Sequence, residues 1–394
     1  MFLPHFCLLA FLGMGAASQS RTVPLILEGN VPMIDLEFAR PDGTTHTARF
    51  LVDTGGGGFI ISKNLAKAIG LEPSGPAYPG GGAQYAPAAA PEVRIGGMPL
   101  DLRGASVMIQ LSPERFMPRD AVDGLLPGHV LERYHVIFDY PGHTFTLAAP
   151  GSVRPRGTAV ASPFHRENGF PRVEVAIGDR KFGFLLDTGA SYTMVSWPVA
   201  KEWSGFGEKP WPRRIGAVGS ANMGLPGDSQ APMLRLPEIR LRDFIIRDVG
   251  AVARPEGTFE KWMSNMMVAP VVGALGGNVL RQFRVEIDYA AGVTYLERSA
   301  NAEPYDLDLV GLTFAQTPDN SLIVEAVSPG ADQALQDQVK PGDRLRSVDG
   351  TPVVGFSLMQ IVERLRGKPG DLKKLELERE GKPYQVRARV TRLM

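Results

Sequence analysis

The chain has 394 residues, enough for two or three domains with sizeable cores. Its 42 Lys and Arg balance 42 Asp and Glu with no long run of one sign, which argues against a nucleic-acid surface or an acidic-lipid anchor. The six His are scattered, and no HExxH or CxxC spacing occurs, so the sequence offers no metal site and calls for no cofactor.

From the N-terminus, Phe2 to Ala17 form an apolar run too short to span a bilayer comfortably, ending in Ala16, Ala17 and Ser18. Residues 1–18 read as a secretory signal peptide, although their first residues carry no Lys or Arg, only His5; an uncleaved anchor is the alternative. The one cysteine, Cys7, lies inside this segment. A processed chain would carry no thiol and no membrane span, and the expected location is periplasmic or secreted.

Two stretches then repeat each other. "VPMIDLEF" (31–38) and "FPRVEVAI" (170–177) alternate as strands, and each leads through a turn into an apolar strand ending in Asp-Thr-Gly. These are "FLVDTGGGGFIIS" (50–62) and "FLLDTGASYTMVS" (184–196). A short helix is predicted after each, from Lys63 and from Trp197. Further on, "DGLLPGHVLERYHVIFDY" (123–140) aligns without gaps on "VGALGGNVLRQFRVEIDY" (272–289), with an enlarged loop expected in the second copy. The reading is two homologous β lobes, 22–150 and 158–300, with Asp53 and Asp187 in equivalent places.

Two carboxylates facing each other across a pseudo-twofold axis cannot both ionise easily. One can then take a proton from a water while the other donates to a carbonyl oxygen. The apolar residues before each Asp fix it at a buried strand end. Thr54 and Thr188 each offer a hydroxyl and an amide for holding the partner loop, and Gly55 and Gly189 permit sharp turns with N–H groups near the carboxylates.

On these residues the chain resembles the aspartic peptidases of the pepsin and retroviral-protease type, with Gly273-Ala274-Leu275-Gly276 as the later hydrophobic-Gly element. The resemblance implies a mainly β fold of two such lobes around a cleft and a catalytic dyad of Asp53 and Asp187. It further implies loops interlocked by Thr54 and Thr188, and a Ser191 hydroxyl bonded to a carboxylate. One chain carries both aspartates, so a monomer suffices. Two departures stand out: Gly56 and Gly57 replace the usual small and hydroxyl residues, and Pro127 follows Leu126 where glycine is expected. The hydroxyl missing at Gly57 is expected to make Asp53 the more readily protonated member. Family members cover the cleft with a flexible hairpin. The Gly-rich "YPGGGAQY" between Tyr78 and Tyr85, and "RIGAVGSANMG" with Gly216 and Gly219, are the two flap candidates.

Residues 303–394 resemble a PDZ domain, a small α+β fold, through "GLTF", "SPG" before an Ala-containing helix, and "GD" leading to "VDG". That resemblance implies a loop, Gly311, Leu312, Thr313 and Phe314, that receives a peptide's C-terminal carboxylate while the peptide adds as a strand. The domain is expected to be a separate module, joined through the polar stretch near 298–306 and dispensable for the chemistry. The whole therefore reads as an endopeptidase acting on peptide or protein substrates. The competing class is a non-catalytic peptide-binding scaffold, against which two mutually repelling carboxylates argue. A serine-protease reading of "GDSQ" around Ser229 lacks an oxyanion loop and a matching His/Asp pair.

Overall fold

The computed structural model describes residues 20–80, 83–112, 122–203, 233–236, 238–247, 249–300, 307–317, 319, 321–356 and 358–393. The leader segment, the second flap candidate and Ser229 lie outside them. The protein is mainly β.

The first lobe runs through β1 (Ser20–Pro24), β2 (Ile26–Glu28), β3 (Val31–Ala39), β4 (Thr45–Asp53), β5 (Phe59–Ser62) and α1 (Lys63–Ile69). It continues through β6 (Tyr78–Gly80), β7 (Ala83–Pro87), β8 (Val93–Ile95), β9 (Met98–Pro99) and β10 (Val107–Gln110). β11 (Gly124–Pro127), α2 (Gly128–Leu131), β12 (His135–Asp139) and β13 (Thr144–Ala148) complete it.

The second lobe has β14 (Thr158–Ala161), β15 (Arg172–Ile177), β16 (Arg180–Leu186), β17 (Thr193–Ser196) and α3 (Trp197–Trp203). Then come β18 (Met233–Arg235), β19 (Ile239–Leu241), β20 (Phe244–Ile246), β21 (Gly250–Arg254), β22 (Gly273–Leu275), α4 (Gly277–Leu280), β23 (Phe283–Asp288) and β24 (Val293–Arg298). Both predicted helices form where expected. Ser62 caps α1 by accepting the Leu65 N–H at 3.1 Å, and Gly70 closes it with φ 69°.

Sheet order makes the duplication explicit. The first lobe's main sheet runs β7-β10-β5-β11-β4-β3-β8-β9, extended by β6 beyond β7. The second runs β18-β21-β17-β22-β16-β15-β19-β20, the same order strand for strand. In each, the strand bearing Asp-Thr-Gly pairs in parallel with the hydrophobic-Gly strand, Val52 beside Leu126 and Leu186 beside Leu275. A six-stranded sheet, β1-β13-β12-β23-β24-β14, joins the lobes by antiparallel pairing of β12 with β23. Phe138, Phe145, Val285 and Ile287 bury their side chains there in one apolar cluster that runs through both lobes. Part of the second lobe's enlargement is the helical turns Thr258–Met263 and Ser264–Met266, between β21 and β22.

The C-terminal region contains β25 (Asp308–Leu309), β26 (Leu312–Gln316), β27 (Leu322–Val327), α5 (Gln333–Gln338), β28 (Arg344–Val348) and β29 (Thr351–Pro352). It ends with α6 (Leu358–Arg364), β30 (Leu372–Arg379), β31 (Lys382–Arg389) and β32 (Thr391–Arg392). Its sheet runs β26-β27-β28-β30-β31, with β26 at an edge. Phe314, Val324, Leu345, Ile361 and Leu377 form its own core.

This domain is not the separate module that the linker's polarity implied. Leu307, Leu309, Val362 and Leu393 belong to a second buried cluster with Leu185, Tyr192, Met194, Met233, Val252 and Phe259 of the second lobe. Arg235 donates to Asp308 at 2.7 Å in the same junction. Each such aliphatic side chain contributes about 2 kcal/mol by leaving water. Linker composition carried no trace of this, because the docking residues begin just after it, at Leu307.

Candidate active site

β4 and β16 deliver Asp53 and Asp187 to the seam between the lobes. The residues before them are buried: Phe50, Leu51 and Val52 in one lobe, Phe184, Leu185 and Leu186 in the other. Beyond each Asp the chain turns, and the two turns hold each other. The Thr54 N–H donates to Thr188 Oγ1 and the Thr188 N–H to Thr54 Oγ1, both at 3.0 Å. Thr54 Oγ1 in turn donates to the Leu186 carbonyl at 2.6 Å, and Thr188 Oγ1 to the Val52 carbonyl at 2.7 Å. Both threonines are fully buried, so every one of these groups would be costly to leave unpaired.

The glycines are required by proximity. A Cβ on Gly55 would sit 3.0 Å from Asp187 Cγ, and one on Gly189 would sit 2.3 Å from Asp53 Cγ. Each loop therefore leans its glycine against the opposite carboxylate. Gly55 N–H donates to Asp53 Oδ1 at 2.8 Å; Gly189 and Ala190 N–H donate to Asp187 Oδ1 at 3.0 and 3.1 Å.

Burial raises both carboxyls above the usual range, and Asp187 is raised further by the charge of Asp53. The two carboxyls also share a hydrogen bond, so the pair holds a proton that an isolated Asp would lose. Backbone N–H groups of Gly55, Gly56 and Gly189 favour the ionised form of Asp53, and those of Ala190 and Gly189 favour that of Asp187. A side chain at Gly57 would meet nothing within 4 Å, so its absence is not forced by space.

Ser191 is buried, and its carbonyl accepts from Asn30 Nδ2 at 3.0 Å and from the Asn278 N–H at 3.1 Å. Pro127 takes φ −90° and ψ 164°, close to the φ −91° and ψ 178° of Gly276, so the ring fits the same backbone path. Gly276 needs its bareness because a Cβ there would lie 2.4 Å from the Tyr192 carbonyl carbon.

Tyr78 and Tyr85 lie on a hairpin: β6 pairs antiparallel with β7, Tyr78 opposite Tyr85, with ring centroids 6.3 Å apart. The hairpin forms the edge of the first lobe's sheet, as a cover over the cleft requires. Gly216 and Gly219 fall outside the described residues. Gly311, Leu312, Thr313 and Phe314 are all buried, and β26 has β27 as its one sheet neighbour among the described residues.

Sequence reasoning missed several residues around the dyad. Tyr140 and Tyr289 marked the repeat, but their place was not foreseen. Both are buried, their hydroxyls find no protein partner among the described residues, and burial raises both. The charge of Asp187 adds to the rise for Tyr140; those of Glu132 and Asp53 add to it for Tyr289. Asn30, at φ 75°, also reaches the second loop from the first lobe's entry hairpin. The one signal for the tyrosines was their matched Asp-Tyr position; Asn30 had none.

Comparison with known proteins agrees with this geometry. Residues 173–279, within the second lobe, match the family model described as aspartyl protease, and residues 301–378 match the PDZ domain. An aspartyl protease domain and a PDZ domain are present. A tail-specific protease of Haemophilus influenzae is 33% identical over 108 residues, 25% of this chain and 15% of that protein. FERM and PDZ domain-containing protein 2 of Mus musculus is 39% identical over 64 residues, 16% of this chain and 4% of that protein. The chain thus spans a small part of these relatives' length. The aspartyl protease match and the tail-specific protease relative support a protease. Among the described residues no helix is long and apolar enough to cross a membrane.

Proposed function

We propose that this chain is an aspartic endopeptidase in which Asp53 and Asp187 act as one dyad within a single polypeptide. The observation that carries the reading is the reciprocal bonding of Thr54 and Thr188, which presses two buried carboxyls together despite their repulsion. A binding-only cleft has no use for that cost. With one proton shared, the ionised carboxylate takes a proton from a water between them, and the protonated partner donates to the oxygen of the scissile carbonyl. The tetrahedral diol then collapses as a proton passes to the leaving nitrogen, giving a free carboxylic acid and a free amine. The Tyr78–Tyr85 hairpin closes over the bound peptide and excludes bulk water.

The PDZ domain takes peptides with a free apolar C-terminus, which add beside β26 with their carboxylate on Gly311 to Phe314. The aspartyl protease match and the duplicated sheet order support the reading. Its test is cleavage of an unstructured protein across acidic to neutral pH, with and without the transition-state mimic pepstatin. Cleavage blocked by pepstatin and untouched by a serine-directed acylating reagent is expected; the reverse pattern overturns the reading.

A further inference from the structure

The second catalytic loop is held from outside its own lobe. Tyr192, five residues after Asp187, is buried, and its hydroxyl accepts a hydrogen bond from Arg366 of the PDZ domain. The same guanidinium lies over the Tyr192 ring, 5.5 Å from its centroid, and is steadied by Glu363 at 2.8 Å. A second contact, from the helix that precedes Arg366, reaches the loop's other support. Gln360 of α6 donates to Glu28 at 2.8 Å, and the hairpin that follows Glu28 presents Asn30, which bonds the Ser191 carbonyl at 3.0 Å. Arg281 fixes Asn30 Oδ1 at 2.7 Å.

On its PDZ side α6 is tied to the carboxylate loop by backbone. The Val310 N–H donates to the Leu365 carbonyl at 3.1 Å, and Leu309 pairs with Arg366 in an isolated bridge. Gly311 is therefore one residue from a bond to the helix end, and Arg366 is the next residue along. A cavity of about 570 Å³ between α6 and Gly29-Asn30 leaves the helix room to shift.

We propose that Arg366 is a positioning residue for the second catalytic loop, and that an apolar C-terminal peptide seated on Gly311 to Phe314 raises turnover through it. The inference rests on the proteolytic reading above and adds a regulatory role to the PDZ domain. Seating a carboxylate orders the loop, the loop fixes Leu365 and Arg366, and Arg366 fixes Tyr192, whose neighbour Ser191 is the end of the Asp187 turn. The link is reciprocal, so an inhibitor ordering the dyad tightens peptide binding at the PDZ domain.

The test uses the full chain and a short fluorogenic substrate amidated at its C-terminus, so that it cannot dock on the PDZ domain. Arg366→Met is expected to lower kcat about tenfold with KM little changed, since misplacing a reacting group acts on the chemical step. Arg366→Lys recovers part of the loss, and Tyr192→Phe, which keeps the packing and the ring, gives a smaller fall. An added apolar peptide with a free carboxylate raises wild-type kcat about threefold or more, its amide does not, and Arg366→Met does not respond. Active wild-type enzyme together with an unchanged kcat in Arg366→Met overturns this inference alone, as does a wild-type kcat indifferent to the carboxylate peptide. A wild-type chain that cleaves nothing overturns the proteolytic reading itself.

Discussion

The two Asp-Thr-Gly loops follow one plan and finish it differently. The first continues from Asp53-Thr54-Gly55 into Gly56-Gly57-Gly58, whereas the second continues from Asp187-Thr188-Gly189 into Ala190-Ser191-Tyr192. Where the loops face each other they are nearly interchangeable, threonine for threonine and glycine for glycine. Where they face their own lobes they diverge: the first is bare, whereas the second carries Ser191, whose carbonyl Asn30 holds, and Tyr192, whose hydroxyl Arg366 holds. Symmetry is kept where the chemistry needs two matched carboxyls. It is lost where each loop meets a different neighbour, and only the second meets the PDZ domain.

If that division is right, substitutions at the shared face should cost far more than those at the divergent one. The largest effect is expected at Gly189→Ala, whose methyl would lie 2.3 Å from Asp53 Cγ. Turnover should fall about a hundredfold or more because the dyad is forced apart. Stability should drop by about 2 kcal/mol, as for other overpacked sites. Gly57→Ser tests the other face. Open space surrounds that position, so stability should change by no more than about 0.5 kcal/mol. A new hydroxyl bond to Asp53 would stabilise its ionised form and move the acidic limb of the pH–rate profile toward lower pH. A Gly57→Ser variant as crippled as Gly189→Ala would break the comparison.

The least expected effect lies farther from the dyad, where α2 and α4 differ. Glu132 ends α2 at the position matched by Arg281 after α4, and burial pushes its carboxyl up to about 7, against the pull of Arg133 and Arg166. The fold therefore prefers its protonated form. That contribution is whole below the unfolded value of 4.5 and is lost as pH rises through about 7. Glu132→Gln, neutral throughout, should melt with the wild type near pH 4 and above it by about 2 °C near pH 8. Equal melting temperatures at both pH values would contradict the assignment.

Much of this was legible in sequence because duplication writes itself twice. Two Asp-Thr-Gly triplets, two hydrophobic-Gly elements and two Asp-Tyr ends gave the lobes their equivalence, and the sheets keep the same strand order. The pairing of Tyr78 with Tyr85 across a hairpin was visible in the Gly-rich stretch between them. What stayed hidden was contact between segments far apart in the chain. Arg366 lies two residues beyond a short helix and Tyr192 in a turn, and neither has a local pattern that names the other. The PDZ domain read as detachable because linkers are judged by composition, whereas docking is decided by Leu307, Leu309 and Val362 burying against the second lobe. The hydroxyl missing at Gly57 is visible in sequence; the backbone amides that favour ionised Asp53 are not.

The central claim is that both carboxyls act as one unit, and it is tested most directly by Asp53→Asn and Asp187→Asn in the full chain. An amide can neither accept the water's proton nor share one, so each single variant should lose at least about a thousandfold in kcat, and the double variant little more. Circular dichroism and melting should show a folded protein in every case. Substantial turnover by either purified, folded single variant would contradict the account.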